Sequence, residues 1–226
     1  MKHLKLFSSN ENYNDWKNSL NYICPNVLYI KNQKSVQYNK NYYDAELEYL
    51  QSTGTQYIDT LFEQKDIEKF AIKYYSDGWE EPGYGNAMGC RWTSNSREFQ
   101  VTNYTSSISI GARNSNMGNN AHQINEVIYN GGNTININGT IKNINNVTTL
   151  TDIYHVILFG IWDESKGGVI QLENTKIYYV TLEGNGKKLE LIPVRKDGVG
   201  YMFDKVSKRL FSNSGTGTFI LGPDKQ

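Results

Sequence analysis

The stretch "EVIYNGGNTININGT", residues 126–140, decides the fold class. Gly131 and Gly132 separate two short runs of strand-forming residues, "EVIY" and "TININ". Asn138-Gly139 then supplies a second turn, because both residues tolerate the positive φ that a tight hairpin demands. Two short strand runs and two turns within fifteen residues leave no room for a helical period.

The same grammar continues in both directions. "KFAIKYYS" (69–76) alternates Phe70, Ile72 and Tyr74 on one face, the period-two pattern of a half-buried strand. "LEYLQSTGTQYIDT" places Gly54 between two short runs, and "GYGNAMGCRW" and "EFQVTNYTSSISIGAR" carry the pattern on. "YHVILFGIWD" (154–163) is nearly all apolar, as a central strand of a sandwich should be. "KIYYVTLEGNGKKLELIPVR" (176–195) reads as two strands around the turn "GNGK". Helical spacing is confined to "LFEQKDIEKF" and the amino-terminal "NDWKNSL". Composition agrees: 17 Tyr and 20 Gly against 4 Pro suit pleated surfaces joined by tight turns. The expected fold is all-β, an antiparallel β-sandwich.

The 23 basic and 23 acidic residues cancel, and nothing in that balance points to nucleic acid or an anionic membrane. No run of about 18 apolar residues offers a membrane span. The start, "MKHLKLFSSNENYNDW", has no apolar core of a signal peptide, and none is expected. Cys24 and Cys90 fall in different segments and read as two buried thiols, with a disulfide as the alternative. With His3, His122 and His155 scattered, they make no closed zinc site.

Residues 1–44 differ from the rest. After the candidate helix, Val27, Tyr29, Val36 and Tyr38 alternate around the polar turn "KNQK" as a hairpin. A lone hairpin is marginal in water, so the segment is expected to pack on something: its own domain, a sister chain or a larger assembly. The expected organisation is an N-terminal anchoring segment, 1–44, and a β domain, 45–226. Phe7, Tyr13, Trp16 and Tyr22 are the candidate docking residues, since so short a unit hides such rings poorly.

The closing stretch "GVGYMFDKVSKRLFSNSGTGTF" (198–219) reads as a hairpin. Tyr201, Phe203 and Val206 are expected to point inward. Asp204 is expected to accept hydrogen bonds from the backbone amides of "KVS" and set a tight turn. Leu210 and Phe211 begin the return strand, and Phe219 re-enters the core.

Together, "EYLQSTGTQYIDT", "KIYYVTLEGNGKKLELIPVR" and "GVGYMFDKVSKRLFSNSGTGTFILGP" resemble the concanavalin A-like, laminin-G-type jelly-roll domain of phage structural proteins and gut bacterial surface proteins. The resemblance spans about residues 46–223. The leader "LFSSNENYNDWKNSLNYICPNVLYIKNQKSVQYN" is similar to the adaptor segments that precede such domains in virion proteins of tailed phages of gut Bacteroides, crAss-like phages among them. The resemblance implies a jelly roll in a head fibre, a capsid decoration or a tail-associated protein. It also implies assembly in the host cytoplasm onto capsid or tail proteins, as a homo-oligomer. The alternative is a lectin-like carbohydrate-binding module of a bacterial surface, against which the lack of a signal peptide counts.

Glycoside hydrolases share this fold, but they need two carboxylates flanking the scissile bond. A strand would present them as alternating residues on one face, whereas Glu80-Glu81 and Asp163-Glu164 are adjacent and would point apart. No G-x-S-x-G elbow or P-loop occurs. The expectation is no enzyme and no cofactor. Some laminin-G-type domains bind calcium; Asp77, Asp152 and Asp163 are the candidates here, and they read as solvated turn acids. Glycan binding is the expected site function. Trp79, Tyr84 and Trp92 offer flat faces, and Arg91, Asn95 and Arg97 offer hydrogen bonds. The competing reading makes Tyr84 and Trp92 core residues and Trp79 a loop anchor; Trp162 reads as core.

Overall fold

A computed structural model describes residues 42–77, 85–91, 98–102, 106–145, 147, 149–151 and 153–226. The chain divides into two units, Met1–Asn41 and Tyr42–Gln226. The first lies outside the described residues, as do the docking candidates Phe7, Tyr13, Trp16 and Tyr22 and the expected hairpin around "KNQK".

Among the described residues there is no α-helix. The strands in chain order are β1 (Ala45–Glu46), β2 (Leu50–Gln51), β3 (Ile58–Glu63), β4 (Lys69–Ser76), β5 (Asn86–Arg91), β6 (Glu98–Thr102), β7 (Ser107–Asn114), β8 (Ile124–Tyr129) and β9 (Thr134–Ile137). They continue as β10 (Thr140–Asn143), β11 (His155–Leu158), β12 (Ile161–Asp163), β13 (Gly168–Ile170), β14 (Thr175–Gly184), β15 (Lys187–Lys196), β16 (Val199–Asp204), β17 (Leu210–Phe211) and β18 (Ile220–Leu221).

They form two sheets. The larger has eleven strands, with the path β10-β9-β8-β4-β14-β15-β16-β17; β1 joins β15, and β2 joins β14 and β18. The smaller has seven, with the path β13-β12-β5-β11-β3 and β6 and β7 branching from β5. Pairing is antiparallel except where β12 runs parallel to β5. The fold is therefore an antiparallel β-sandwich.

The turns explain the order. β9 and β10 meet at Ile137↔Thr140 around Asn138 (φ 53°) and Gly139 (φ 82°). β14 and β15 meet at Gly184↔Lys187 around Asn185 (φ 49°) and Gly186 (φ 70°). Both are two-residue turns with left-handed backbone at each position, whose twist matches that of the flanking strands.

Alternation then fills the middle. Phe70, Ile72 and Tyr74 of β4 are buried, as are Val127 and Tyr129 of β8 and Ile135 and Ile137 of β9. From the other sheet come Met88, Cys90, Phe99, Val101, Ile108 and Ile110. Phe70 meets Phe99 edge-on with ring centroids 5.0 Å apart, so the two sheets touch through aromatic contact. Cys90 is a core residue; Cys24 lies outside the described residues.

Three expectations need correction. "LFEQKDIEKF" makes a single 3-10 turn, Gln64–Asp66, between the end of β3 and the start of β4. "YHVILFGIWD" is two strands, β11 and β12, broken where Phe159 takes φ 67°. In the closing hairpin it is Met202, on the same face of β16 as Gly200 and Asp204, that faces the core; Tyr201 is half-buried and Val206 is 51% exposed. Phe203 is buried on the opposite face, under Tyr42 (5.4 Å) and Tyr43 (4.9 Å). The sandwich thus takes in residues 42–44, and Asp44 N–H also donates to Arg195 O.

The rest of the hairpin reading stands. Phe211 pairs with Met202 across β16 and β17. Phe219 packs on Phe159 at 4.9 Å. The carboxylate of Asp204 accepts from Val206 N (3.1 Å), Ser207 N (2.8 Å) and Glu190 N (2.9 Å). The chain end closes the sheet: β18 pairs with β2, and Lys225 N donates to Glu46 O.

Candidate binding face

Arg91 is the one candidate sugar contact within the described residues; Trp79, Tyr84, Trp92, Asn95 and Arg97 lie outside them. Arg91 ends β5, beside Asp163 at the end of β12. Its Nε donates to Asp163 Oδ2 at 2.7 Å and its Nη2 reaches the same oxygen at 2.6 Å. Ser165 Oγ donates to Asp163 Oδ1 at 2.6 Å. Asp163 is only 1% exposed, so this is a charge held inside the protein by its partner. Burial pushes the Asp163 carboxyl up, but Ser165 and Arg91 together hold it below the usual range. Arg91 therefore spends two donor groups on the fold. Further along the same sheet, Gln100 is buried, and its Nε2 has no acceptor among the described residues.

The other buried carboxylates are fastened in the same manner. Asp66, 1% exposed, receives Lys187 Nζ at 2.5 Å and Asn185 Nδ2 at 2.9 Å, which outweigh burial and lower its pKa. Glu173 accepts from Ser76 Oγ. For Asp204, burial is again the largest influence and raises the pKa, but the hydrogen bonds from Ser207, Glu190 and Val206 together lower it. A glycosidase acid must be raised so that it carries a proton near neutrality; Asp66, Asp163 and Asp204 are all shifted the opposite way. Among the described residues no group of three or more His, Cys, Asp and Glu converges as a metal site. Of the calcium candidates, Asp163 is committed to Arg91, Asp77 follows β4, and Asp152 lies outside the described residues.

Trp162 is half-buried against the core and stacks on Tyr154, with centroids 6.2 Å apart and planes 20° apart. Its Nε1 is buried and has no acceptor among the described residues.

The described aromatic surface lies on the other sheet. β4 buries Phe70, Ile72 and Tyr74 and so turns Lys73 and Tyr75 outward. β14 sets Lys176 directly opposite Tyr75. A register shift between Ile177 and Tyr179 makes Tyr178 the extra residue of a bulge, and both Tyr178 and Tyr179 stand half-buried next to each other. Tyr49, just before β2, meets Tyr178 edge-on at 5.8 Å. Lys176 Nζ sits 5.0 Å from the Tyr49 ring and 4.9 Å from the Tyr75 ring, and Lys73 Nζ lies 6.0 Å from Tyr178. Tyr179 reaches across β4 to donate its hydroxyl to Glu126 Oε1 at 2.8 Å. Burial raises the phenol pKa of Tyr75 and of Tyr178, with Asp77 and Glu48 adding at the rim. The result is a half-buried patch of rings interleaved with cations.

Sequence reading missed this face. Its signal was present in the outward positions of "KFAIKYYS", where a lysine and a tyrosine alternate with the core residues. The bulge at Tyr178 carries no comparable mark, since "KIYYV" reads as unbroken alternation with one tyrosine on each side.

No family model, curated protein or solved structure matches the chain.

Proposed function

We propose that this chain is a non-enzymatic virion structural protein, docked by its N-terminal segment and projecting a β-sandwich that binds sugar polymers on a host surface. The sandwich is read as a jelly roll. The observation that carries the reading is the division of labour among polar groups. The buried carboxylates hold turns and strands together, each tied by partners that keep it fixed, whereas flat rings and lysines are gathered on one face of the larger sheet. That favours holding a ligand over cleaving one. The resemblance of residues 46–223 to virion-borne jelly rolls supports the particle as the place of work. Many copies on one particle raise the effective concentration, so a weak single contact suffices.

The test is recovery on purified particles. The full chain should band with virions and a chain lacking residues 1–41 should not. Recovery of the native protein only in a bacterial envelope fraction would instead favour a cell-surface lectin module. Release of reducing ends from a bound polysaccharide would overturn the non-enzymatic reading.

A further inference from the structure

We infer that the outer face of β2, β4 and β14 is the docking platform for a carboxylate-bearing polysaccharide, with sugar rings laid on Tyr49, Tyr75 and Tyr178 and sugar carboxylates met by Lys73 and Lys176. This rests on the sugar-binding reading above and names both the surface and the class of ligand.

Two features of the platform argue for it. The first is the state of the lysines. At the far end of the same sheet Lys69, Lys187 and Lys188 each hold a protein carboxylate, Glu183, Asp66 and Glu190 respectively. Among the described residues, no carboxylate lies within ion-pair distance of Lys73 or Lys176; their ammonium groups rest against tyrosine rings. Glu126, the cross-strand neighbour of Lys73, is occupied by the Tyr179 hydroxyl. The charge on these two lysines is thus left for a partner of opposite sign, while their stems stay fixed by the rings.

The second feature is the order of the rings. Tyr49 and Tyr178 brace each other edge-on, and Tyr49 and Tyr75 flank one lysine. Rings held in this way lose little freedom when a ligand arrives, which is where a weak polymer contact gains affinity. Tyrosine also suits a sugar, with an apolar face for the ring's C–H groups and a hydroxyl at its edge. A neutral glycan would use the rings alone and leave two ammonium groups to be desolvated without compensation.

The test uses the full chain on immobilised polygalacturonate and, in parallel, neutral dextran. Binding is measured by biolayer interferometry at rising salt, and melting curves are taken for every variant. The platform predicts polygalacturonate binding that weakens with salt. Lys73→Gln with Lys176→Gln, and separately Tyr178→Ala, should each raise Kd about tenfold; Lys69→Gln should leave it unchanged. Lysine variants are surface changes, so they keep the test open if Tyr178→Ala lowers the melting midpoint. Polygalacturonate binding that ignores the lysine and tyrosine variants overturns the platform but leaves sugar binding elsewhere on the sandwich. Equal affinity for dextran overturns the acidic class. Silence on both polymers and on a panel of other glycans overturns platform and sugar binding together.

Discussion

Asp204→Asn isolates one carboxylate's share of stability. Asp204 is fully buried, and its two oxygens accept from three backbone amides, Glu190, Val206 and Ser207. Asparagine keeps one acceptor oxygen in nearly the same shape. The bonds from Glu190 and Val206 then become neutral ones, each losing about 1 kcal/mol. Ser207 N–H instead faces an amide NH2, and a buried donor left without an acceptor costs about 1–3 kcal/mol. Burying a neutral amide in place of a charge returns part of this. The net expectation is a loss of about 3 kcal/mol, or about 6–12 °C in melting midpoint for a domain of this size. The pH dependence follows from the same bonds. The folded pKa of Asp204 is below its unfolded value. Its contribution is therefore complete above the unfolded value, about 3.9, and is lost as pH falls through the folded one. Urea titrations of both proteins at about pH 7 and about pH 3 would read this out. The gap should be about 3 kcal/mol at the higher pH and shrink at the lower. A gap under about 1 kcal/mol at neutrality, or one that does not change with acid, refutes the role given to this carboxylate.

The remaining predictions concern other joints of the fold. Arg91→Ala leaves the buried Asp163 without its counter-ion, only the Ser165 hydroxyl remaining on it, and should cost about 3–5 kcal/mol in urea denaturation; an unchanged midpoint would mean that the ion pair contributes nothing. Gly184→Ala places a methyl group 1.9 Å from the backbone oxygen of Asp66, so the variant should unfold at least about 3 kcal/mol more easily or fail to accumulate as soluble protein. Phe211→Ala should cost about 3–5 kcal/mol by emptying a core position; a melting curve superimposable on the parent would refute its place in the core. A chain beginning at Tyr42 should melt higher than one beginning at Ala45, by an amount matching about 1–2 kcal/mol, because Tyr42 and Tyr43 cover Phe203. Equal midpoints would show that the rings contribute nothing.

What sequence made legible and what it hid divide along physical lines. Turns with a stereochemical requirement were readable: Asn138-Gly139 and Asn185-Gly186 stand where left-handed backbone is needed, and two-residue hairpins follow. Asp204 was readable for a related reason, since an aspartate bonding the amides just after it is a local event. Strand interiors fared less well. "GYMFD" has apolar or aromatic candidates for both faces, and burial of Phe203 under Tyr42 and Tyr43 comes from a segment far away in the chain. "YHVILFG" shows no periodicity, so the break at Phe159 had no local signature. Arg91 was noticed as a polar group beside aromatics, yet its partner Asp163 is brought in only by the parallel pairing of β12 with β5. The tyrosine and lysine face needs β2, β4 and β14 side by side, a juxtaposition that no window of sequence contains.

On the proposed function, the sandwich would hold a sugar polymer and leave it whole. The most direct measurement is to incubate the full chain with intact acidic capsular polysaccharide from the host. Both the fraction of polymer retained by the protein and the reducing ends in solution are then followed. The account predicts retention with no rise in reducing ends over the bare buffer. Free polymer at saturating protein, or a steady release of new ends, would contradict it.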